Sequence, residues 1–524
     1  MEERLQAVLD DLARAAALSP SDRNRFFRRA AWLAEASMPD QQAFLRALHE
    51  LPLPLEEVQE TLLHALLAHL VQQRRQKKVG PPQADAIPDP QLDGDVIALY
   101  RHLGPKSLAR GSLLAWLAAG GSEDELAELC NLLVDDPPTD DADVVQALAP
   151  LFRREDLPVA ALFPRLLDAL AHVPLAAAVL DLANHVCRRQ LAPQHPAAVR
   201  KRELMEILGR LIGLLGRLEE APQSAGESPR EISLRVQQSV ALAVALCDAL
   251  ALIGDEAAIA KLHPALSLGH RRLKTEAAAA LARLGDKRGK EELIDLAAEP
   301  VARLRVLAYA KELGILDQID PLYRSPQARA ESELTVWLAE PTQFGLPPQA
   351  CELIDHRRQF WPSYAEPVDC FLFRFTYAMT VNDEERVYTS IGIAGPLAHA
   401  FTADLADLPP ADIYAAFAGW QAEHAEIKEY DAAKLSRSGR TEVARLERRL
   451  HDALYEAIEP RLLGEFFGVK VLLADCTQGK LPGVAVADST DILFFAARRP
   501  QRSIGVREAW CIYKGRKLLK TFNA

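Results

Sequence analysis

The apolar positions of this chain follow two rhythms. Up to about residue 325 they recur at helical spacing, as in Leu5, Val8, Leu9 and Leu12, then Phe26, Phe27, Ala30 and Leu33, then Leu62, Leu63, Leu66, Leu67 and Leu70. The same period continues through Leu113, Leu114 and Leu117, through Leu126, Leu129, Leu132 and Leu133, through Leu162, Leu166, Leu167 and Leu170, and through Leu204, Ile207, Leu208, Leu211, Leu214 and Leu215. Apolar stripes at a 3.6-residue period, broken every dozen or so residues, predict antiparallel helical hairpins. The breaks carry stop and cap residues: Ser19-Pro20-Ser21-Asp22, Pro52 and Pro54, Gly120-Gly121-Ser122, and Asp135-Asp136-Pro137-Pro138. Two stretches have no period and read as exposed linkers or loops: 74–94, basic and then proline-rich, and the polar insert Glu219 to Glu231.

After Tyr323 the period shortens to two. Leu334 to Leu338 reads as a short strand, and Val368 to Met379 as a long one, with Phe371, Phe373, Phe375 and Tyr377 on one face and Leu372, Arg374 and Thr376 on the other. Asn382-Asp383-Glu384-Glu385 should return that strand as a hairpin into Val387 to Ile393. Two helices follow, one from about Pro410 to Tyr430 with Trp420 facing inward, the other from about Thr441 to Leu463. Strands are expected near 469–474, 492–496 and 503–513, with a last hairpin over Lys514-Gly515-Arg516. The resulting fold class is multidomain: an all-α solenoid of helical hairpins, then an α+β domain with a mainly antiparallel sheet.

Between Ser239 and Gly314 three apolar helices each end in a glycine, at Gly254, Gly285 and Gly314, about 30 residues apart. One copy is carried by Ala278, Leu281, Ala282, Leu284, Gly285, Asp286, Leu293 and Leu296, and a second by Cys247, Leu250, Ala251, Ile253, Gly254, Asp255, Ile259 and Leu262. This stretch resembles HEAT repeats, closest to the short variety of phycobilisome-lyase-type proteins. Each part has a physical job: small residues let helices approach, glycine takes the left-handed C′ position, and aspartate caps the next helix. The resemblance implies a protein-interaction scaffold and transfers no lyase activity. The domains expected are helical hairpins at 1–73, a linker or loop at 74–94, the HEAT-like α-solenoid at 95–325, and an α+β domain of no recognised family at 326–524.

Composition narrows the classes. At 524 residues, 49% hydrophobic and 26% charged, the chain is long enough for two or three cores. Charged residues interrupt each apolar run, so no membrane span is expected. The acidic first turn lacks the basic region of a secretory signal. Seven scattered cysteines without a CxxC pair argue against a disulfide framework and a structural zinc. A cytoplasmic location is expected, with no cofactor and no metal. The net charge of −12 argues against coating by nucleic acid, although local basic patches survive that average.

Five constellations carry candidate chemistry. Arg74, Arg75, Lys77 and Lys78 read as the solvated end of a helix or, on the alternative, a phosphate contact. Ile391-Gly392 to Gly395-Pro396 follows a strand, and its amides could cradle a phosphate, but it lacks the third glycine of a dinucleotide site and the lysine of a P-loop. Glu423, His424, Glu426 and Glu429, near Tyr430, read as a solvated acidic face; only Glu423 and Glu426 have the spacing to share a ligand. Cys476 stands at a strand end, with His399, His424 and His451 as candidate bases. The tail from Asp491 to Ala524 has eight basic residues against two acidic ones, interleaved with Trp510, Tyr513 and Phe522 as on a nucleic-acid surface. A protected basic strand edge, or docking of this edge on the acidic solenoid, accounts for the same charges.

The candidate binding residues are therefore Arg271, Arg272, Lys274, Arg303 and Arg305 in the repeats, and Arg498, Arg499, Arg502, Lys514 and Arg516 in the tail. Lys274 and Arg303 are one period apart and would form a ladder, which Glu276, the counterpart of Arg305, interrupts. The expected function is a protein–protein interaction scaffold with a partner on the concave solenoid face. An enzyme with its site in the C-terminal domain and a nucleic-acid binder using the basic tail are the alternatives.

Overall fold

The computed structural model describes residues 38–49, scattered positions between 54 and 72, 90–220, and 228–523, with short breaks at 106, 108, 121, 139–140, 155–156, 382–383, 423–426 and 498–501. The basic cluster at 74–78 and the helices expected before residue 38 lie outside these, apart from two isolated positions. The chain is helical first and α+β second. It divides into two compact units, Met1–Leu293 and Ile294–Ala524, so the second begins earlier than the 325/326 step in hydrophobic rhythm.

The first unit is a run of helices: α1 (Met38–Leu48), α2 (Pro90–His102), α3 (Ala109–Gly120), α4 (Glu123–Asp135), α5 (Asp141–Leu148), α6 (Val159–Leu166), α7 (Val173–Arg188), α8 (Lys201–Glu220), α9 (Pro229–Ile253) and α10 (Arg271–Arg283), with α11 (Lys287–Asp295) at its end. They pack in chain order: α3 on α5, α5 on α7, α7 on α9 and α9 on α10, while α4 packs on α6. Up to α9 a helix thus meets its next-but-one neighbour, which is how hairpins stack, and α9 then packs on α10. The stop and cap signals act as the residues dictate. Ser122 and Glu125 form a reciprocal capping box, at 3.1 and 2.8 Å. Gly254 and Gly285 are left-handed at φ 77° and 84°, Asp255 accepts the Ala257 amide at 2.9 Å, and Asp286 accepts that of Gly289 at 2.7 Å. Among the described residues one helix is long and apolar enough to cross a membrane, α9, with mean hydropathy 1.8 over Arg230–Ile253; Asp248 does not break it as the run was expected to be broken. Most of that stretch (61%) is buried against other helices of the protein.

His195 accepts the Ala197 amide through Nδ1 and donates from Nε2 to Asn184 Oδ1 at 2.9 Å, and Asn184 donates to the Ala245 carbonyl. This neutral tautomer suits a ring whose pKa burial lowers to about 4.

The second unit starts with α12 (Pro300–Glu312) and α13 (Pro326–Leu338), which pack together. Two modules of one layout follow. In the first, α13 precedes the antiparallel meander β1 (Ala350–Gln359), β2 (Val368–Val381), β3 (Glu384–Ala394) and β4 (His399–Ala400), and α14 (Pro410–Gln421) closes it. In the second, α15 (Arg437–Asp452) precedes β6 (Tyr455–Phe466), β7 (Val469–Gln478), β8 (Leu481–Ala487) and β9 (Ile492–Ala496); β5 (Ile427–Glu429) pairs with β6 from outside, and α16 (Val506–Phe522) closes it. Each sheet therefore lies between an outer and an inner helix. Phe371, Phe373, Phe375 and Tyr377 meet Leu334 and Leu338 of α13; Leu472, Ala474, Cys476, Ala485 and Ala487 meet Val443, Leu446 and Leu450 of α15. The opposite faces, with Leu372, Ile391, Ile393, Val471, Leu473, Val484 and Val486, enclose α14 and α16 in one shared core.

The inner helices cross through glycine. A Cβ on Gly419 of α14 would stand 1.9 Å from the Cys511 carbonyl oxygen, and one on Gly515 of α16 would stand 1.8 Å from that of Ala415. The two contacts are reciprocal, because Asp412-x-Tyr414-Ala415-x-Phe417-x-Gly419 and Glu508-x-Trp510-Cys511-x-Tyr513-x-Gly515 carry the same residue classes in the same places.

Several expectations are corrected here. Leu334 to Leu338 is helix, and so is the whole of 506–522, where a strand and a hairpin were expected. In α16 seven residues from Ala509 to Leu518 are buried, on nearly every side, which hides the helical period. The helix expected to reach Leu463 stops at Asp452 and the chain turns into β6. The helix from Pro410 ends at Gln421, and Trp420 is 46% exposed rather than inward. Strand β1 was not foreseen: its charges, Glu352, Asp355, His356, Arg357 and Arg358, mask the alternation.

Candidate functional site

The ten cations proposed as a binding surface fall into three groups. Arg271 and Arg272 are exposed on α10, and Arg305 is exposed on α12. Lys274 is tied to Glu292 at 2.5 Å. Arg303, the expected next rung of a ladder, is 3% exposed and inward. Its guanidinium donates to the carbonyls of Ala297 (2.8 Å), Ala298 (3.1 Å) and Ala328 (2.7 Å), to the Glu331 carboxylate (2.6 Å) and to Ser332 (3.3 Å). It joins α12 to α13, and the ladder does not form. Glu276, the counterpart of Arg305, is buried as well.

In the tail, Arg498 and Arg499 lie outside the described residues. Arg502 donates to the Thr389 carbonyl at 2.9 Å and lies 4.1 Å over the Tyr388 ring. Lys514 is 4% exposed and donates to the Ala422 carbonyl at 2.8 Å. Arg516 grips Asp412 with both branches at 2.7 Å, a bidentate pair between the inner helices. Lys517 reaches Asp488 at 3.2 Å and Asp491 at 3.4 Å. Trp510 and Tyr513 are buried, so neither can stack a base. These cations of the tail hold the second unit together, and the basic strand edge is a helix.

Asp488 shows how closely such charges are fitted. It is fully buried, and burial alone would raise its pKa. Hydrogen bonds from Tyr513 Oη (2.6 Å), from the amides of Asp491 and Thr490 (2.6 Å each) and from Thr490 Oγ1 (2.9 Å) outweigh that and hold it well below the usual carboxylate range.

The other constellations do not assemble. At the glycine turn, Gly395 sits at φ 105° with its Cα face 2.1 Å (as a Cβ) from the Asp369 carbonyl, and Gly392 faces Leu334. The Gly395 amide already donates to the half-buried Glu333 carboxylate, whose pKa burial raises nevertheless. The cradle is therefore occupied by the protein's own carboxylate. Cys476 packs beneath α15, and burial pushes its thiol up to about 11, the wrong direction for a nucleophile. His399 belongs to the other sheet, stacked on Trp420 at 3.9 Å, with a pKa that burial lowers to about 4. His451 is exposed at the end of α15, and Glu423, His424 and Glu426 lie outside the described residues. Among the described residues no group of three or more His, Cys, Asp or Glu side chains is placed to hold a metal ion.

A cleft of about 1470 Å³ opens between α15, β5 and β6, lined by Tyr430, Leu435, Ser436, Ser438, Leu463 and Gly464 among charged neighbours. Its lysines are engaged: Lys434 with Asp431 at 3.0 Å and Lys470 with Glu465.

What the sequence reading passed over is the outward face of α15. Arg437, Arg440 and Arg448 are exposed there and make no ion pair or hydrogen bond among the described residues. The signal was present as arginines at helical spacing, but it was taken up in the reading of the helix's apolar face. No protein-family profile, curated protein or solved structure matches this chain.

Proposed function

We propose that the protein is a protein–protein interaction scaffold: a HEAT-like stack of helical hairpins, with its partner on the concave face, joined to a two-module α+β unit that offers a second binding surface. The observation that carries this reading is the chain-order packing of α3, α5, α7, α9 and α10, with left-handed glycines at the repeat ends. Hairpins that bury their apolar faces only against neighbours leave a long outer surface for a partner. The inward ties of Arg502, Lys514 and Arg516 remove support from a nucleic-acid tail, and the raised Cys476 thiol removes support from a thiol enzyme.

The test is cross-linking mass spectrometry on the full chain, purified from its native cell at about physiological salt. A stoichiometric protein cross-linked to residues between 95 and 293 is the expected result. Nucleic acid that copurifies and is released by salt would overturn it.

A further inference from the structure

The two modules share a layout but differ in what lies on their outer helices. In the first, the outward side of α13 is covered by α12, with Arg303 reaching across to Ala328, Glu331 and Ser332. In the second, the outward side of α15 is open: Arg437, Arg440, Thr441, Ala444, Arg445, Arg448 and His451 are all exposed. At 100° per residue, Arg437, Arg440, Ala444, Arg448 and His451 fall within an arc of roughly 80°. Val443, Leu446 and Leu450, which face the sheet, lie outside that arc.

Not every arginine of this helix is unengaged. Arg445 pairs with Glu442 at 2.6 Å, and Arg449 donates to the carbonyls of Ser489 and Thr490 at 2.6 Å. The three with no partner among the described residues are the three on the arc. They span roughly 16 Å of helix at 1.5 Å per residue.

Both ends of α15 depart from what a helix prefers. Its first turn holds Arg437 and no acid, although the helix dipole places positive charge there. By contrast α4 opens on Glu123, Asp124 and Glu125. Just past the other end, Leu454 takes a left-handed φ of 65°, where glycine is favoured, and is 80% exposed. A first turn with cations and no acid is shared with α10 and α11, which open on Arg271 and Lys287; what α15 adds is its outward arginines, unpaired among the described residues, and, past its end, the strained and exposed Leu454.

We infer that the outward face of α15 docks an acidic amphipathic helix of a protein partner, with carboxylates against Arg437, Arg440 and Arg448, one apolar side chain against Ala444 and another against Leu454. Arginine's planar fork suits carboxylates in pairs. The stripe is flanked on its own helix by Glu447 and Asp452, and it has no aromatic residue. That mixture repels a continuous polyphosphate and accepts a helix with spaced carboxylates. The inference deepens the scaffold reading and rests on it only for the class of partner.

The probe is a labelled alanine-based helical peptide with glutamates at i, i+3, i+7 and i+11 and leucines beside the last, titrated into the full chain by fluorescence anisotropy. Its scramble, of the same composition, and a DNA duplex of matched length are titrated in parallel. The patterned peptide should bind at low salt at least tenfold more tightly than its scramble, and Arg440→Gln with Arg448→Gln should erase that difference. Leu454→Gly should weaken the peptide several-fold while raising the melting temperature, a pairing that a purely structural leucine would not give. Equal binding of the scramble, tighter binding of the duplex, or no binding of any probe would overturn the inference. None of these bears on a partner cross-linked to the helical stack, so the two readings fail separately.

Discussion

The two modules of the second unit are built to one plan from different materials. The outer layer of the first is aromatic: Phe371, Phe373, Phe375 and Tyr377 against α13, with Phe344 stacked on Tyr377 at 4.7 Å. The outer layer of the second is mostly smaller and aliphatic, with Leu472, Ala474, Ala485 and Ala487 against α15, and Tyr455 and Phe494 as its aromatic pair. The inner helices α14 and α16 are instead alike, position by position. A side chain packing on a sheet can be exchanged for another of different shape if its neighbours adjust. A glycine whose missing Cβ makes room for a carbonyl cannot, because backbone does not repack. The crossing is thus where the two modules are held to the same residues, and the outer helices are where they have become different surfaces.

Breaking that crossing should have the largest effect. Gly419→Val or Gly515→Val puts a branched side chain against backbone oxygen, so the cost should exceed the usual 1–3 kcal/mol of overpacking. Urea denaturation followed by tryptophan fluorescence would show it. Gly209→Ala in α8, where a Cβ meets nothing within 4 Å, should instead stabilise, by roughly 0.5–1 kcal/mol. If the two kinds of substitution cost alike, the reciprocal contact is not what joins the modules.

Next comes the cover on α13. Arg303→Met removes a donor to five partners and takes it from the Glu331 carboxylate and the Ala297 and Ala298 carbonyls, while Ala328 keeps its bond from Ser332 Oγ; the change should cost about 3 kcal/mol. The same change at Arg448, on the open helix, should alter stability by less than about 0.5 kcal/mol.

Acid separates the modules more finely. The folded state keeps His399 neutral down to about pH 4, whereas an unfolded histidine takes up a proton near 6.5. The first module is therefore fully stabilised by this group above 6.5 and loses that stability as pH falls from 6.5 to 4. The loss is on the order of 3 kcal/mol at most, since a charged ring stacked on Trp420 regains part of it. Asp488, held below its ordinary value, contributes above about pH 4, and its contribution fades only below that. Hydrogen exchange read peptide by peptide should show 399–421 loosening before 484–513 as pH is lowered. His399→Gln should abolish the earlier step and Asp488→Asn the later one.

This contrast also explains what could be read from the sequence. Most helices of the first unit were legible because each buries one side, so its period survives in the pattern of apolar residues, and β2 was legible because Phe371, Phe373, Phe375 and Tyr377 fall at every second position although both of its faces are covered. Helix α16 was not, because Trp510, Ile512, Tyr513, Lys514 and Gly515 are all buried between two sheets. The repeat across α14 and α16 was missed because it rests on residue class at five positions rather than on identity. The candidate cations misled for a different reason: a count of charge along a chain does not tell whether a guanidinium points to solvent, as on Arg272, or into backbone carbonyls, as on Arg303.

The smallest effect tests whether α15 is tuned for stability at all. Arg437 occupies the first helical position after Ser436, whose Oγ accepts the Gly439 amide at 3.1 Å. A cation there opposes the helix dipole, so Arg437→Glu should stabilise the fold by roughly 0.3–1 kcal/mol at low salt, fading as salt screens it. The same exchange of sign on α4, Glu123→Arg, should destabilise by a similar amount, since that helix already opens on three acids. Paired melts at low and high salt would decide the matter. A gain at Arg437 alongside a loss at Glu123 would mean that α4 obeys the dipole while α15 departs from it, as expected of a helix whose outward arginines answer to something beyond its own fold.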